Sequence, residues 1–551
     1  MARVLTLHDP TEARDYHESG LWRRDTLYSL AAGWAAERGD APALRDPSRR
    51  LNWRELVEEA DVVAAALQDV GLIAGDRVSV FMRNRVEAVI IFLACSRNGY
   101  VFNTSLHATY TPEEVATWLD RVSSRALFAE VGHGASADRA DLFALTIALP
   151  SMRAVFAIAT GSELPVGCRG FPHGPADQSP VANDPDKIVY LAFTSGTSGP
   201  PKGVMHSDNS LLANARAMVA DWGHGHDTVL LSLSQMSHHI GTVALTQALV
   251  GGFELVLSDP SVGIDSIDWI EQTGATYVMG VPTHAMDLLA TLDARGADKL
   301  GRVKTFYLAG APIPRATAQS LLARGITPQN VYGMTENGSH QYTRPSDPID
   351  TIIGSCGKAC DAYEVKLFGR DDRDVEVEAG EVGEIGGKGA MRMLGYFGNQ
   401  PATEASFNAG GWFMSGDLGR FDTGGNLEIV GRTKDMIIRG GHNIHPARIE
   451  DLALRHPAVL KAAAVAVPDE RLGERVCLVL VAGSAIDGET LLTHLDAAGL
   501  SKYDMPEYLV VAEQLPLGPT GKILKRELTT WIGSGRLVPE LIKRRRAVAT
   551  A

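Results

Sequence analysis

A glycine- and hydroxyl-rich loop placed directly after a short apolar run constrains this chain more than any other stretch. Ile188-Val189-Tyr190-Leu191-Ala192 reads as a buried strand, and Phe193-Thr194-Ser195-Gly196-Thr197-Ser198-Gly199-Pro200-Pro201-Lys202-Gly203-Val204 follows at once. Three glycines let backbone N–H groups turn toward an anion, four hydroxyls add donors, and Lys202 supplies a fixed positive charge. The loop is suited to phosphate. It is not the common phosphate-binding loop, which needs Lys followed directly by Ser or Thr, because Gly203 follows Lys202. A Gly/Ser/Thr/Pro cluster taken alone is more often an ordinary turn, so the rest of the chain decides its meaning.

Helical and strand periods alternate through the first 180 residues: Leu56 to Val70 as helix, Arg77 to Phe81 as strand, Val86 to Arg97 as helix ending at Gly99. The alternation resumes after the loop with a helix from Asn209 to Ala220 and strands at Val229 to Leu233, Phe253 to Leu257, Ala275 to Met279 and Val303 to Leu308. This pattern predicts an α/β fold of layered, mostly parallel sheets. From about Ile352 short β runs and glycine turns predict a β-subdomain. A boundary falls near Lys434, after which about 100 residues, ordinary for a small domain, read as α+β. Strands are expected there at Ala462 to Val467 and Val476 to Val481, and helices at Ala447 to Arg455 and Glu489 to Ala498. At 551 residues the chain is too long for one core, and the expected division is a large domain over 1–433, a smaller mobile domain over 434–535 and a tail over 536–551.

Bulk properties remove several classes of function. With 52 Lys plus Arg against 66 Asp plus Glu, the net charge of −14 argues against general nucleic-acid binding. The basic run Lys543-Arg544-Arg545-Arg546 is short enough to read as a solvated tail. Five scattered cysteines fit a reducing compartment, and Cys356 and Cys360 lack a second ligand pair at zinc spacing. The longest apolar stretch, Ala88 to Cys95, is too short to span a bilayer, and the N-terminus has no apolar signal core. A cytoplasmic enzyme is the expectation.

Four more signals follow the loop in order: Tyr332-Gly333-Met334-Thr335-Glu336, Ser415-Gly416-Asp417, Gly431-Arg432-Thr433-Lys434-Asp435 and Pro519-Thr520-Gly521-Lys522. Each is weak alone. Together with the loop they resemble the adenylate-forming superfamily of acyl-CoA synthetases, nonribosomal-peptide adenylation domains and beetle luciferases, along nearly the whole chain. The resemblance implies ATP, Mg²⁺ and coenzyme A as cofactor and co-substrates. It makes Thr194, Ser195, Gly196, Thr197, Ser198, Gly199 and Lys202 the triphosphate-holding loop. Tyr332, beside Gly333, would stack on adenine, Thr335 would contact the α-phosphate, and Glu336 would be the magnesium ligand, since a carboxylate with substrate phosphates commonly holds Mg²⁺. Asp417, acceptor-only when ionised, would take both ribose hydroxyls, with Arg432 as a further ribose or phosphate contact. Lys522 would bridge the attacking carboxylate and the α-phosphate, Lys434 would be the hinge of domain rotation, and Gly440-Gly441 would approach the pantetheine arm of CoA. His442 and Arg448 stand where acidic residues are usual in the family.

The acyl pocket should involve His238, His239, Val281, Gly310, Ala311 and Met334, with His238 resembling an aromatic gate beside the carboxylate. A paired-His metal site competes there but lacks a third ligand. His239 falls where amino-acid-activating relatives carry aspartate; without it an α-ammonium would be buried unpaired, which disfavours amino acids. Leu21-Trp22-Arg23-Arg24-Asp25-Thr26-Leu27 resembles the N-terminal stretch of aryl-acid and cyclohexanecarboxylate ligases. The leading expectation is a CoA ligase for a compact cyclic, aryl or medium-chain acid, with cyclohexanecarboxylate-CoA ligase the named lean. The alternatives are a stand-alone aryl-acid-AMP ligase loading a separate carrier protein and a nucleotide-binding homologue without catalysis. The expected partners are the small carboxylic acid, ATP and CoA, with no nucleic acid, no membrane span, and a homodimer allowed for.

Overall fold

The computed structural model describes residues 9–159, 161, 163–177, 179–194, 201–440, 442–518 and 522–542. The expectations for Ser195, Gly196, Thr197, Ser198, Gly199, Gly441, the Pro519-Thr520-Gly521 turn and the basic run at 543–546 lie outside them.

Two large sheets share one core. The first has seven strands in the order Arg169–Gly170, Ala154–Ile158, Ala126–Glu130, Arg77–Phe81, Val101–Asn103, Ile188–Thr194 and Lys202–Ser207, parallel except for the last pair. The second has nine strands, among them Thr327–Met334, Thr305–Leu308, Tyr277–Gly280, Val229–Ser232, Glu254–Leu257 and Pro42–Arg45, neighbours in that order and all parallel. Between the sheets lies the helix Val86–Asn98, apolar on every side and buried through Arg97, which is how a helix without a polar face must sit. Helices Trp53–Asp69, Asp208–Trp222 and His239–Gly251 pack around it, and one apolar cluster joins Val78 and Phe128 of the first sheet to Leu230 and Tyr277 of the second.

Strand Arg77–Phe81 has the predicted limits, and the other predicted elements lie within a few residues of theirs. One connection was not anticipated: Pro42–Arg45 and Arg50–Asn52 leave the N-terminal half to form the far edge of the second sheet, Leu44 pairing with Leu255. The β-subdomain is a four-stranded antiparallel sheet of Tyr363–Phe368, Gly383–Gly389, Phe413–Phe421 and Leu427–Arg432.

From Ile437 onward the chain forms its own sheet and apolar clusters, in which Ile437, Leu478 and Leu491 are fully buried. The stretch expected as a tail from 536 returns to this sheet: Glu540–Leu541 pairs with Tyr508–Val511, and the Ile542 N–H donates to the Glu507 carbonyl at 2.9 Å. The tail reading is corrected for these residues. Its cause is tertiary, since Ile542 fills space beside Gly488 that no local pattern announces. Among the described residues no helix is long and apolar enough to cross a membrane.

Candidate active site

In open parallel sheets the carboxyl ends of adjacent strands make the crevice where ligands bind. Three neighbouring strands of the second sheet end here in register, Met279 beside Tyr307 and Leu308 beside Asn330. Val281 follows the first, Gly310 the second, and Tyr332 to Glu336 close the third. His238 and His239 open the helix that follows the adjacent strand Val229–Ser232. The loop after Ile188–Thr194 leaves the carboxyl end of a first-sheet strand, Thr194 pairing with Lys202 as the chain returns.

The turn after Tyr332 is tight. A Cβ on Gly333 would lie 1.9 Å from the Gly338 carbonyl oxygen, so only glycine permits the chain to fold back there. The Met334 N–H donates to Asn337 Oδ1 at 3.1 Å, which turns Thr335 and Glu336 out of the strand. His206 holds the same turn from the loop side, with Nε2 2.6 Å from the Thr335 carbonyl and Nδ1 3.0 Å from Ser210 Oγ. A carbonyl only accepts, so Nε2 carries a proton; burial lowers the ring's pKa to about 4, against the bond to the Thr335 carbonyl, which favours the charged form, and so keeps the ring neutral.

Glu336 is 9% exposed, and the Tyr396 hydroxyl donates to its Oε1 at 3.0 Å. Burial raises its pKa, opposed by its own backbone N–H, by that hydroxyl and by the charges of Lys202 and Lys522. Lys202 Nζ stands 4.6 Å from the Tyr396 ring centroid.

Asp417 and Arg432 are directly paired across two strands of the β-subdomain. Arg432 Nε donates to Asp417 Oδ1 at 2.7 Å and the Tyr332 hydroxyl to Oδ2 at 3.0 Å. Each carboxylate oxygen thus keeps a lone pair for a further donor. The Tyr332 ring lies edge-on to buried His340, 5.4 Å between centroids.

Lys522 comes from the smaller domain, yet its Cε lies 3.8 Å from where a Cβ on Gly310 would be, with Val281 Cγ1 3.7 Å from the same point. Gly310 has φ +89°, a left-handed conformation that keeps this approach open. Lys522 stays accessible along one side of the cleft. Partial loss of hydration and the nearby Arg432 guanidinium hold its pKa below the ordinary lysine value, while Asp417 and Glu336 pull it back up. The structure therefore brings Lys522, Gly310, Glu336, Asp417 and Arg432 into one electrostatic neighbourhood.

The two histidines read as a pair behave differently. His238 precedes the first turn of its helix and stacks on His107, 4.5 Å between centroids at 21°, whereas His239 stacks on His206 at 5.7 Å and 15°. Burial lowers the His239 pKa to about 3. Among the described residues there is no group of three or more His, Cys, Asp or Glu that could hold a metal ion. Met334 packs beside Tyr332 and Tyr396, and Ala311 is exposed in the turn after Gly310. Gly440 turns the hairpin of the smaller domain with its N–H on the Leu472 carbonyl at 2.7 Å. Lys434 lies in the turn between the last strand of the β-subdomain and Ile437–Arg439, where the Thr433 N–H donates to the Gly416 carbonyl at 3.0 Å. Tyr396, His206 and His107 were not anticipated. Their contacts join residues 60 and 129 positions apart in the first two cases, and no local pattern encodes such contacts.

The chain belongs to the AMP-binding enzyme family, whose profile matches residues 32–397, while that of the AMP-binding enzyme C-terminal domain matches residues 448–522. It is similar to the medium-chain fatty-acid-CoA ligase of Escherichia coli (strain K12), 29% identical over 95% of this chain and 93% of that protein. It is also similar to a salicylyl-CoA synthase / salicylate adenylyltransferase of a Streptomyces species, 31% identical over 94% of this chain and 96% of that protein. Among solved structures, ATP-bound MatB from Rhodopseudomonas palustris superposes with a TM-score of 0.79 at 26% identity, covering 92% of this chain and 99% of that one. The anthranilate CoA ligase AuaEII, solved with anthranoyl-AMP, shares the fold with a TM-score of 0.84 at 23% identity, covering 94% and 98%. The protein is thus an adenylate-forming acid ligase.

Proposed function

We propose that this ligase activates a compact cyclic, aryl or medium-chain carboxylic acid and transfers the acyl group to free CoA. A carboxylate oxygen of the acid attacks the α-phosphorus of ATP, pyrophosphate leaves, and the CoA thiol then attacks the acyl carbonyl, releasing AMP. The observation that carries this reading is the convergence of Lys522 with Glu336, Asp417 and Arg432 beside Gly310. A cation between the acyl-pocket turn and the nucleotide residues can neutralise charge that develops as the bond to the α-phosphorus forms.

In this reading Thr194 and Lys202, with Ser195 to Gly199, hold the β- and γ-phosphates. Tyr332 faces adenine, with Gly333 allowing its turn. Asp417 takes the ribose hydroxyls with Arg432 beside it, and Thr335 contacts the α-phosphate. His238 borders the acid carboxylate, and His239, Val281, Gly310, Ala311 and Met334 shape the rest of its pocket. Magnesium fits the donor set: Glu336 Oε1 accepts from Tyr396, and an ionised carboxylate has further lone pairs for a cation that also takes phosphate oxygens. Bound there, it would offset the triphosphate charge. Lys434 lies where the two domains join and would absorb the rotation that withdraws Lys522 and brings Gly440 and Gly441 to the pantetheine arm. The division of labour between 1–433 and 434–535 belongs to the same proposal.

The relatives named above include a fatty-acid ligase and a salicylate enzyme, which supports a small acid and a CoA acceptor. A Bacillus subtilis (strain 168) relative named 2,3-dihydroxybenzoate-AMP ligase, 28% identical over 94% of this chain and 95% of that protein, supports the second reading, an aryl-acid-AMP ligase. A panel of cyclic, aryl and medium-chain acids, read as AMP release with free CoA and separately with phosphopantetheinylated carrier protein, tests the proposal. CoA-dependent AMP release with at least one such acid is expected; turnover only with a carrier protein would overturn the choice of acceptor.

A further inference from the structure

One short segment, Met393 to Phe397, ties together three parts of the nucleotide site. The Met393 N–H donates to the Glu336 carbonyl at 2.7 Å. Leu394, Gly395 and Phe397 bond to the backbone of Gly203 and Met205, on the strand that leaves the phosphate loop, at 2.7–3.1 Å. Tyr396, only 3% exposed, then points its hydroxyl at Glu336 Oε1 at 3.0 Å and presents its ring to Lys202 Nζ at 4.6 Å. Its backbone N–H is fixed by Thr403 Oγ1 at 2.9 Å, and its side chain packs with Val204, Met393 and Phe413, which leaves the ring little freedom to move away.

We infer that Tyr396 is a positioning residue that sets the Mg²⁺ requirement for ATP binding, by orienting the Glu336 carboxylate through its hydroxyl and supporting the Lys202 ammonium with its ring face. The inference rests on the reading of Glu336 as the magnesium ligand. The Glu336 side chain has three rotatable bonds before its oxygens, and one hydrogen bond from a buried phenol removes most of that freedom. The oxygen not held by Tyr396 then meets the cation in one orientation. Partners that orient a metal ligand are worth about 10- to 100-fold in metal affinity. The ring acts separately: an ammonium over an aromatic face gains electrostatic attraction without losing its charge for phosphate.

The two functions separate by substitution. In Tyr396→Phe the ring stays and the hydroxyl is lost; in Tyr396→Leu both go. Nucleotide binding is measured by calorimetry on the full chain without any acid, so that no turnover occurs, across a Mg²⁺ titration and in EDTA. Tyr396→Phe is expected to raise the half-saturating Mg²⁺ by about 10- to 100-fold, change binding in EDTA far less than that, and have no further effect in a Glu336→Gln background. Tyr396→Leu should in addition weaken binding in EDTA by about 2- to 5-fold. A folded Tyr396→Phe protein with wild-type Mg²⁺ dependence, or a shift that persists in full beside Glu336→Gln, would overturn the inference. Wild-type binding that ignores Mg²⁺ would overturn the assignment of Glu336 and the inference together.

Discussion

Lys522→Ala is expected to slow acyl-adenylate formation by about 10²- to 10³-fold or more, the scale of removing one preorganised charge stabiliser. The lysine reaches the cleft from the smaller domain, lies against Gly310 and shares its electrostatic field with Arg432, Asp417 and Glu336. Thioester formation from supplied acyl-AMP should suffer much less, because in the proposed rotation Lys522 has left the site by then. Equal losses in both half-reactions would refute the alternation. The depressed pKa of Lys522 adds a pH signature. Only the protonated form stabilises negative charge, so adenylation should fall as pH rises through a value below the ordinary lysine range. In Lys522→Arg, which stays charged, that basic limb should disappear from the residual rate. Acetylation of Lys522 removes the same charge and is expected to abolish adenylation; an acetylated protein with full activity would contradict this role for the charge.

Asp417→Asn should damage ATP use to a similar degree by a different route. The carboxylate holds Arg432 and Tyr332 and, in the proposed role, both ribose hydroxyls. Hydrogen bonds to a charged group are worth about 1.5–3 kcal/mol each, so losing two corresponds to about 10²- to 10⁴-fold in kcat/KM for ATP. Arg432 also loses its counter-charge, and the amide nitrogen of Asn offers a donor where acceptors are needed. Ribose contacts exist alike in the ground and transition states, so the loss should fall mainly on KM for ATP and on AMP affinity, with kcat changed less. An unchanged KM for ATP would remove Asp417 from the nucleotide site.

What could be read from the residues beforehand follows the range of the interactions involved. Arg77–Phe81 and Val86–Asn98 were legible because their patterns are local: a β-rich run after a turn, then an apolar helix with a glycine behind it. The family resemblance carried by the five motifs implied a common site for Glu336, Asp417, Arg432 and Lys522, and the charges of the first three all act on Lys522. Pairings across the fold left no such trace. Pro42–Arg45 joins a strand more than two hundred residues away, Tyr396 meets Glu336 only because 394–397 runs beside 203–205, and Ile542 finds its place against the smaller domain's core. The histidine pair shows the same limit. Adjacent in sequence, His238 and His239 lie at a helix start where successive side chains diverge, so one stacks on His107 and the other on His206.

The central claim is acid-dependent activation at the α-phosphate of ATP, and isotope exchange between pyrophosphate and ATP by the purified wild-type protein reads it directly. Exchange that needs both Mg²⁺ and an acid from the panel, proceeds without CoA and collapses in Lys522→Ala is the predicted result. Exchange that is absent with every acid, or that is indifferent to the acid supplied, would contradict it.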